Sequence, residues 1–177
     1  MAFYTGKGDR GESYIEGKKM KKSEPVFDAI GDIDELNAVL GICASNIDDE
    51  HIVRVLTNIQ NKLFSLGADI IFSNTKKNVT FDDTKMLEDE IKEFEGSVKP
   101  QKRFVLPRGI SGAEYLHNAR AVARRAERSI LKTMFSNDAE KINPYIASYI
   151  NRLSSLLFVM ALYLNEKEGF EEKNPEY

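Results

Sequence analysis

Cysteine occurs once in the 177 residues, tryptophan not at all and histidine twice. A lone thiol, Cys43, excludes an internal disulfide framework and fits a reducing compartment; within an apolar helical segment it reads as a small core residue. The scarce histidines bear on metal chemistry. Glu114-Tyr-Leu-His117 has the spacing of half a carboxylate-bridged di-iron site, but such sites need two such pairs and two further glutamates, and His51 is preceded at that spacing by Asp48. No protein-held metal is expected, and His117 reads as a packed or site-lining residue. No Ser-His-Asp or Cys-His arrangement is apparent either. Charge of one sign is also missing: the net value is −3, with acids and bases interspersed, so the overall field gives no reason to expect nucleic acid or an anionic membrane as partner. The longest apolar run, Leu156 to Leu164, is too short to span a bilayer, and the first residues have no apolar leader core. A soluble, cytoplasmic protein of one domain over residues 1–177 is the expectation.

Helical periodicity dominates what is present. Leu36, Val39, Leu40 and Cys43 recur at helical steps after Asp32, where Asp32 or Asp34 can cap a helix running to about Ser45. From Asp49 to Phe72, Ile52, Leu56, Ile59, Leu63, Leu66 and Ile70 form a six-turn apolar stripe. A polar loop over 73–81 leads to a charged helix from about Asp82 to Glu95. Pro100 and Pro107 then bracket Phe104-Val105-Leu106, which predicts an extended loop reaching into something apolar. Ser111, with Glu114 at the spacing of a capping box, opens a helix to about Phe135, and Pro144 opens a last one to about Lys167. That last helix is apolar on all sides in its middle, which places it centrally in a bundle or at a subunit interface. With no strand alternation of any length, the fold class is all-α: a five-helix bundle with left-handed, antiparallel, coiled-coil-like packing.

The helix after Ser111 carries Arg120-Ala-Val-Ala-Arg124-Arg125-Ala-Glu127-Arg128. Arg120, Arg124, Glu127 and Arg128 fall on one arc, beside an apolar stripe of Leu116, Ala119, Ala123, Ala126 and Ile130. Arginine cannot shed its charge and its planar fork suits phosphate oxygens, so this arc calls for an anionic ligand such as a polyphosphate, or for carboxylate partners on a solvated face. Residues 1–24 form a glycine-rich basic arm whose Tyr4-Thr5-Gly6-Lys7-Gly8-Asp9-Arg10-Gly11 resembles a phosphate-cradling loop. It is not a Walker A motif, and a flexible basic tail reads equally well. Asp34-Glu35 caps a helix or pairs with one of the helix arginines. Asn151, at the head of the last helix, faces either a pocket or solvent.

Tyr4-Thr5-x-x-Gly8-Asp9-x-Gly11, Gly31-x-x-Asp34-Glu35-Leu36-Asn37, Phe104-Val105-Leu106-Pro107, the arginine block from Leu116 to Arg128, and Asn151-Arg152-Leu153-Ser154 together resemble the PduO-type ATP:cob(I)alamin adenosyltransferases. The likeness runs from Tyr4 to about Gly169. It implies a homotrimeric five-helix bundle that binds ATP with Mg²⁺ in clefts between subunits and transfers the 5′-deoxyadenosyl group to cob(I)alamin. By the same resemblance, Thr5, Gly6, Lys7, Gly8 and Lys22 hold the triphosphate with Arg124, Arg125, Glu127 and Arg128, and Asn151 contacts the nucleotide. Arg124, Arg128 and Phe104 serve catalysis. Phe104 presses on the corrin face, excluding the lower axial ligand and favouring a four-coordinate cobalt, with His117 on the corrinoid side. Arg120 pairs with Asp34 across the subunit interface. A corrinoid reductase or a cobalamin-dependent enzyme is the implied protein partner. Three positions depart from the family pattern: Gly6 replaces a common Lys or Arg, Arg108 follows Pro107 where glycine is usual, and Ser155 replaces an aspartate. A different reading of the same residues is a non-catalytic, ATP-binding regulatory bundle, distinguished by ATP binding without adenosylation.

Overall fold

The computed structural model describes residues 4–72, 77–136 and 142–176. Five helices occur among them: α1 (Pro25–Asn46), α2 (Glu50–Ile71), α3 (Phe81–Glu95), α4 (Ala113–Met134) and α5 (Tyr145–Lys167). They are preceded by a hairpin of β1 (Glu12–Ile15) and β2 (Lys18–Lys21), antiparallel and in register Glu12 with Lys21. The hairpin is a correction to the expectation of no strands. Its turn places Glu16 and Gly17 both at positive φ, 49° and 76°, the backbone that a tight two-residue hairpin requires.

Helix α4 lies at the middle of the bundle, packing against α1 and α5, while α2 flanks α1 and α3 flanks α5. The predicted stripe of α2 is its buried face, including Leu56, Leu63 and Leu66. By length and composition α5 could cross a bilayer, with a mean hydropathy of 1.3, but 61% of that window is buried inside the bundle against its neighbours. Cys43 is wholly buried on α1, and burial pushes its thiol up to about 12, which leaves it an unreactive core residue.

Helix ends differ from the reading in two places. Helix α1 starts at Pro25, whose fixed φ suits the first turn, and runs through Asp32 without a break. At α4 the Ser111 capping box does not form: Gly112 is the cap residue, at φ 97°, with the Ile47 side chain packed where a Cβ would lie. The capping box appears instead at α3, between Thr80 and Asp83.

The described part of the α2–α3 connection is pinned by Asp69, 3% exposed; residues 73–76 of the expected loop lie outside the described residues. Its carboxylate accepts from the backbone N–H groups of Asn78 and Val79, both at 2.9 Å, and from the Asn143 side chain at 2.7 Å. Burial works against ionisation, but these donors outweigh it and hold the Asp69 carboxyl below the usual carboxylate range. A carboxylate held low in the folded chain stabilises above the unfolded value, and that contribution is lost as pH falls through the folded one. Asp69→Asn is therefore expected to cost about 2 kcal/mol at neutral pH. Urea unfolding between pH 3 and 7 checks this, with a shallower acid dependence in the variant. An ion pair and a hydrogen bond also tie α2 to α3: Lys62 to Asp83 at 2.8 Å, and the His51 ring to Glu90 at 3.0 Å, its other nitrogen facing Glu93 at 3.6 Å.

Candidate active site

A cleft of about 840 Å³ opens between the Gln101–Val105 segment, α4 and α5. It brings together three residues singled out from sequence: Phe104, Arg120 and Arg124. Phe104 is 78% exposed, so an apolar ring is held toward solvent by backbone anchors and not by its own packing. The anchors are the Asn174 side chain, donating to Phe104 O at 2.8 Å, and the Leu106 N–H, donating to Lys173 O at 2.8 Å. Arg124 is exposed and has no carboxylate partner among the described residues. Arg128, one turn on and so on the same face of α4, donates to the Arg124 backbone carbonyl at 2.8 Å. The Arg120 guanidinium lies 5.6 Å from the centre of the Phe158 ring, which gives it a cation–π contact, and its Nε has no hydrogen-bond partner among the described residues.

Beside the arginines, Glu127 accepts from the Asn151 amide at 2.9 Å. Asn151 Oδ1 accepts from Arg152 at 3.1 Å, and Arg152 Nε donates to Glu88 at 2.7 Å. A polar chain thus runs from α3 through α5 to α4, fixing which way the Asn151 amide and the Glu127 carboxylate face. His117 is 3% exposed, with its ring 6.0 Å from that of Phe158. Burial, and then the Arg120 cation, lower its pKa, so the imidazole is neutral at physiological pH.

Arg125, grouped with the phosphate residues by resemblance, points elsewhere. It donates to Asp32 at 3.1 Å and is also bonded to Glu35, which pins α4 to α1 and holds the guanidinium further into its charged form. Asp32 also accepts from Ser129. Within one chain the arginine that meets the α1 carboxylates is thus Arg125; Asp34 is exposed and makes no ion pair with Arg120.

The basic arm is built of turns: Asp9 N–H donates to Gly6 O and Gly11 N–H to Gly8 O, while Lys7 N–H reaches Thr5 Oγ1 at 3.4 Å. Gly8 allows a close approach there, since a Cβ at that position would lie 2.8 Å from the Lys22 ammonium. Thr5, Gly6, Lys7, Gly8 and Lys22 therefore gather at one end of the hairpin. Among the described residues no hydrogen bond or ion pair joins that group to Arg124, Arg128 or Phe104.

Sequence reasoning missed Asn165. This wholly buried amide near the end of α5 accepts from Ile110 N–H at 3.3 Å and donates to Arg108 O at 3.0 Å and to Glu172 at 2.8 Å. It clamps the segment that follows Phe104 to the tail after α5. Gly109 is required at that clamp, because a Cβ there would lie 2.6 Å from Asn165 Oδ1. An amide directly after the apolar middle of α5 was the available signal, since a buried amide needs partners. Asn165→Asp sets an acceptor against Arg108 O and the Glu172 carboxylate. We expect it to lower the stability of the fold by about 2 kcal/mol, which urea unfolding of the variant beside the parent chain checks.

The Cobalamin adenosyltransferase family model matches residues 3–164. The corrinoid adenosyltransferase of Bacillus subtilis (strain 168) is 32% identical over 175 residues, which is 96% of this chain and 89% of that protein. Corrinoid adenosyltransferase PduO of Salmonella typhimurium is 34% identical over 91% of this chain and 49% of its own length, so the chain spans about half of that relative. A solved variant of a PduO-type ATP:corrinoid adenosyltransferase from Lactobacillus reuteri, complexed with cobalamin and ATP, superposes with a TM-score of 0.92 at 32% identity, covering 99% of this chain and 100% of that one. Matched along nearly its whole length by family model, relatives and fold, the chain belongs to the cobalamin adenosyltransferase family.

Proposed function

We propose that the chain transfers the 5′-deoxyadenosyl group of ATP to cob(I)alamin, giving adenosylcobalamin and triphosphate. The observation that carries this reading is the cleft that holds an exposed aromatic ring, Phe104, beside two arginines, Arg120 and Arg124, that form no ion pair among the described residues. A flat apolar corrin needs the first and a departing polyphosphate needs the second. Co(I) supplies the electron pair: as the Co–C bond forms at C5′, the C5′–O bond breaks, cobalt becomes Co(III) and the triphosphate leaves with the bonding electrons. Because the nucleophile is the substrate itself, the protein need not provide a base. Its work is to position the two substrates and to stabilise charge on the leaving group.

In this reading Arg124 and Arg128 face the phosphates. Thr5, Gly6, Lys7, Gly8 and Lys22 come to them from a neighbouring subunit. Asp34 of one subunit pairs with Arg120 of the next in a homotrimer, satisfying a guanidinium that forms no ion pair among the described residues of its own chain. A Mg²⁺ ion fits this face. Glu127 offers a carboxylate oxygen, and magnesium keeps water and substrate phosphate oxygens as its other ligands. When bound, it neutralises phosphate charge. The enzyme acts in the cytoplasm, on corrinoid delivered reduced by a reductase. The test is anaerobic incubation with ATP, Mg²⁺ and chemically reduced cobalamin: equimolar adenosylcobalamin and triphosphate are expected. ATP binding without corrinoid conversion would favour a regulatory bundle instead.

A further inference from the structure

We infer that Lys102 and Arg103 form a phosphate-binding rim for the nucleotide loop of the corrinoid, so that the site selects complete corrinoids over forms lacking that loop. The inference rests on the adenosyltransferase reading and extends it to substrate class. Four cations line the cleft, Lys102, Arg103, Arg120 and Arg124, and no acidic residue does. Lys99, earlier in the same segment, is paired with Glu166 at 2.7 Å, and Arg152 on α5 with Glu88 at 2.7 Å. Lys102 and Arg103 have no such partner among the described residues, although they lie only a few positions beyond Lys99.

Arg124 is assigned to the triphosphate and Arg120 to Asp34 of a neighbouring subunit, with its guanidinium over Phe158. Two cations immediately before Phe104 are left over. Phe104 meets the lower corrin face in the proposed complex, and the nucleotide loop hangs from that same face. With the ring in place of the lower ligand, the loop swings aside and carries its single phosphodiester charge past the residues leading into Phe104. The segment that presents Lys102 and Arg103 is fixed just beyond them, through Phe104 O to Asn174 and through Leu106 N–H to Lys173 O, so the cations are offered from an anchored backbone. Both side chains are exposed, so the attraction is screened by salt.

The experiment compares chemically reduced cobalamin, cobinamide (no nucleotide loop) and cobinamide phosphate (phosphate without base) at saturating ATP, for the full chain and its K102A/R103A variant. At low salt we expect a KM for cobalamin about tenfold below that for cobinamide, as suits two exposed charges meeting one phosphate. Cobinamide phosphate should behave like cobalamin. The advantage should shrink as ionic strength rises, and in the variant the cobalamin KM should rise to that of cobinamide. Equal KM values for the three corrinoids in the wild type would overturn the rim, as would cobinamide phosphate behaving like cobinamide. A variant that weakens all three corrinoids by one factor, or raises only the ATP KM, would also overturn it. If no corrinoid is adenosylated by the wild type, the transferase reading itself fails, a result distinct from turnover without preference.

Discussion

Arg124→Ala is expected to lower kcat for adenosyl transfer by about 10²- to 10³-fold, the range seen when one donor that stabilises developing negative charge is removed. Charge on the triphosphate grows as the C5′–O bond breaks, so a guanidinium aimed there acts more strongly on the transition state than on bound ATP. For that reason kcat and kcat/KM for ATP should fall together, with little change in the KM itself. Folding should be unaffected, because Arg124 is exposed and pairs with no carboxylate among the described residues; the melting temperature of the unliganded variant should match that of the wild type. A rise in the ATP KM with kcat unchanged would mean that Arg124 only helps ATP to bind.

The second large effect belongs to Phe104. Burying a phenylalanine ring against an apolar surface stabilises by about 1.5–3 kcal/mol, so losing that contact in Phe104→Ala should reduce corrinoid turnover by up to about 10²-fold. At 78% exposure the ring contributes little to the folded chain alone, and the variant should be as stable as the wild type or slightly more so. The absorption spectrum of cob(II)alamin bound with ATP gives a second readout. The wild type should shift it toward the four-coordinate form, and the variant should leave the lower ligand in place.

How far the sequence foretold this molecule depends on the range of the interaction concerned. Helices α2 and α5 were legible because long stripes and all-round apolarity fix which residues are buried whatever their neighbours. The start of α1 was not, because Val26, Phe27 and Ile30 precede Gly31, and glycine reads as punctuation until tertiary packing overrides it. The hairpin escaped notice because each strand has only four residues and β2 is mostly lysine, leaving the Glu16–Gly17 turn as its single signal. Spacing placed the arginines on one face of α4 but could not choose among the carboxylates of α1. Asp32 and Glu35 are one turn apart and share the face toward Arg125, whereas Asp34 is turned away from it. The Asn165 clamp joins residues more than fifty positions apart, a pairing that local pattern cannot reveal.

Every role proposed for these residues depends on attack by Co(I) on the ribose 5′ carbon with triphosphate as the intact leaving group. ATP labelled with ¹³C at C5′, incubated with the enzyme, Mg²⁺ and reduced cobalamin, tests it directly by carbon NMR of the corrinoid and phosphorus NMR of the released phosphate. A ¹³C resonance from carbon bonded to cobalt and unbroken triphosphate in equal amount are expected. Label remaining on ADP or AMP, with phosphate or pyrophosphate released, would contradict it.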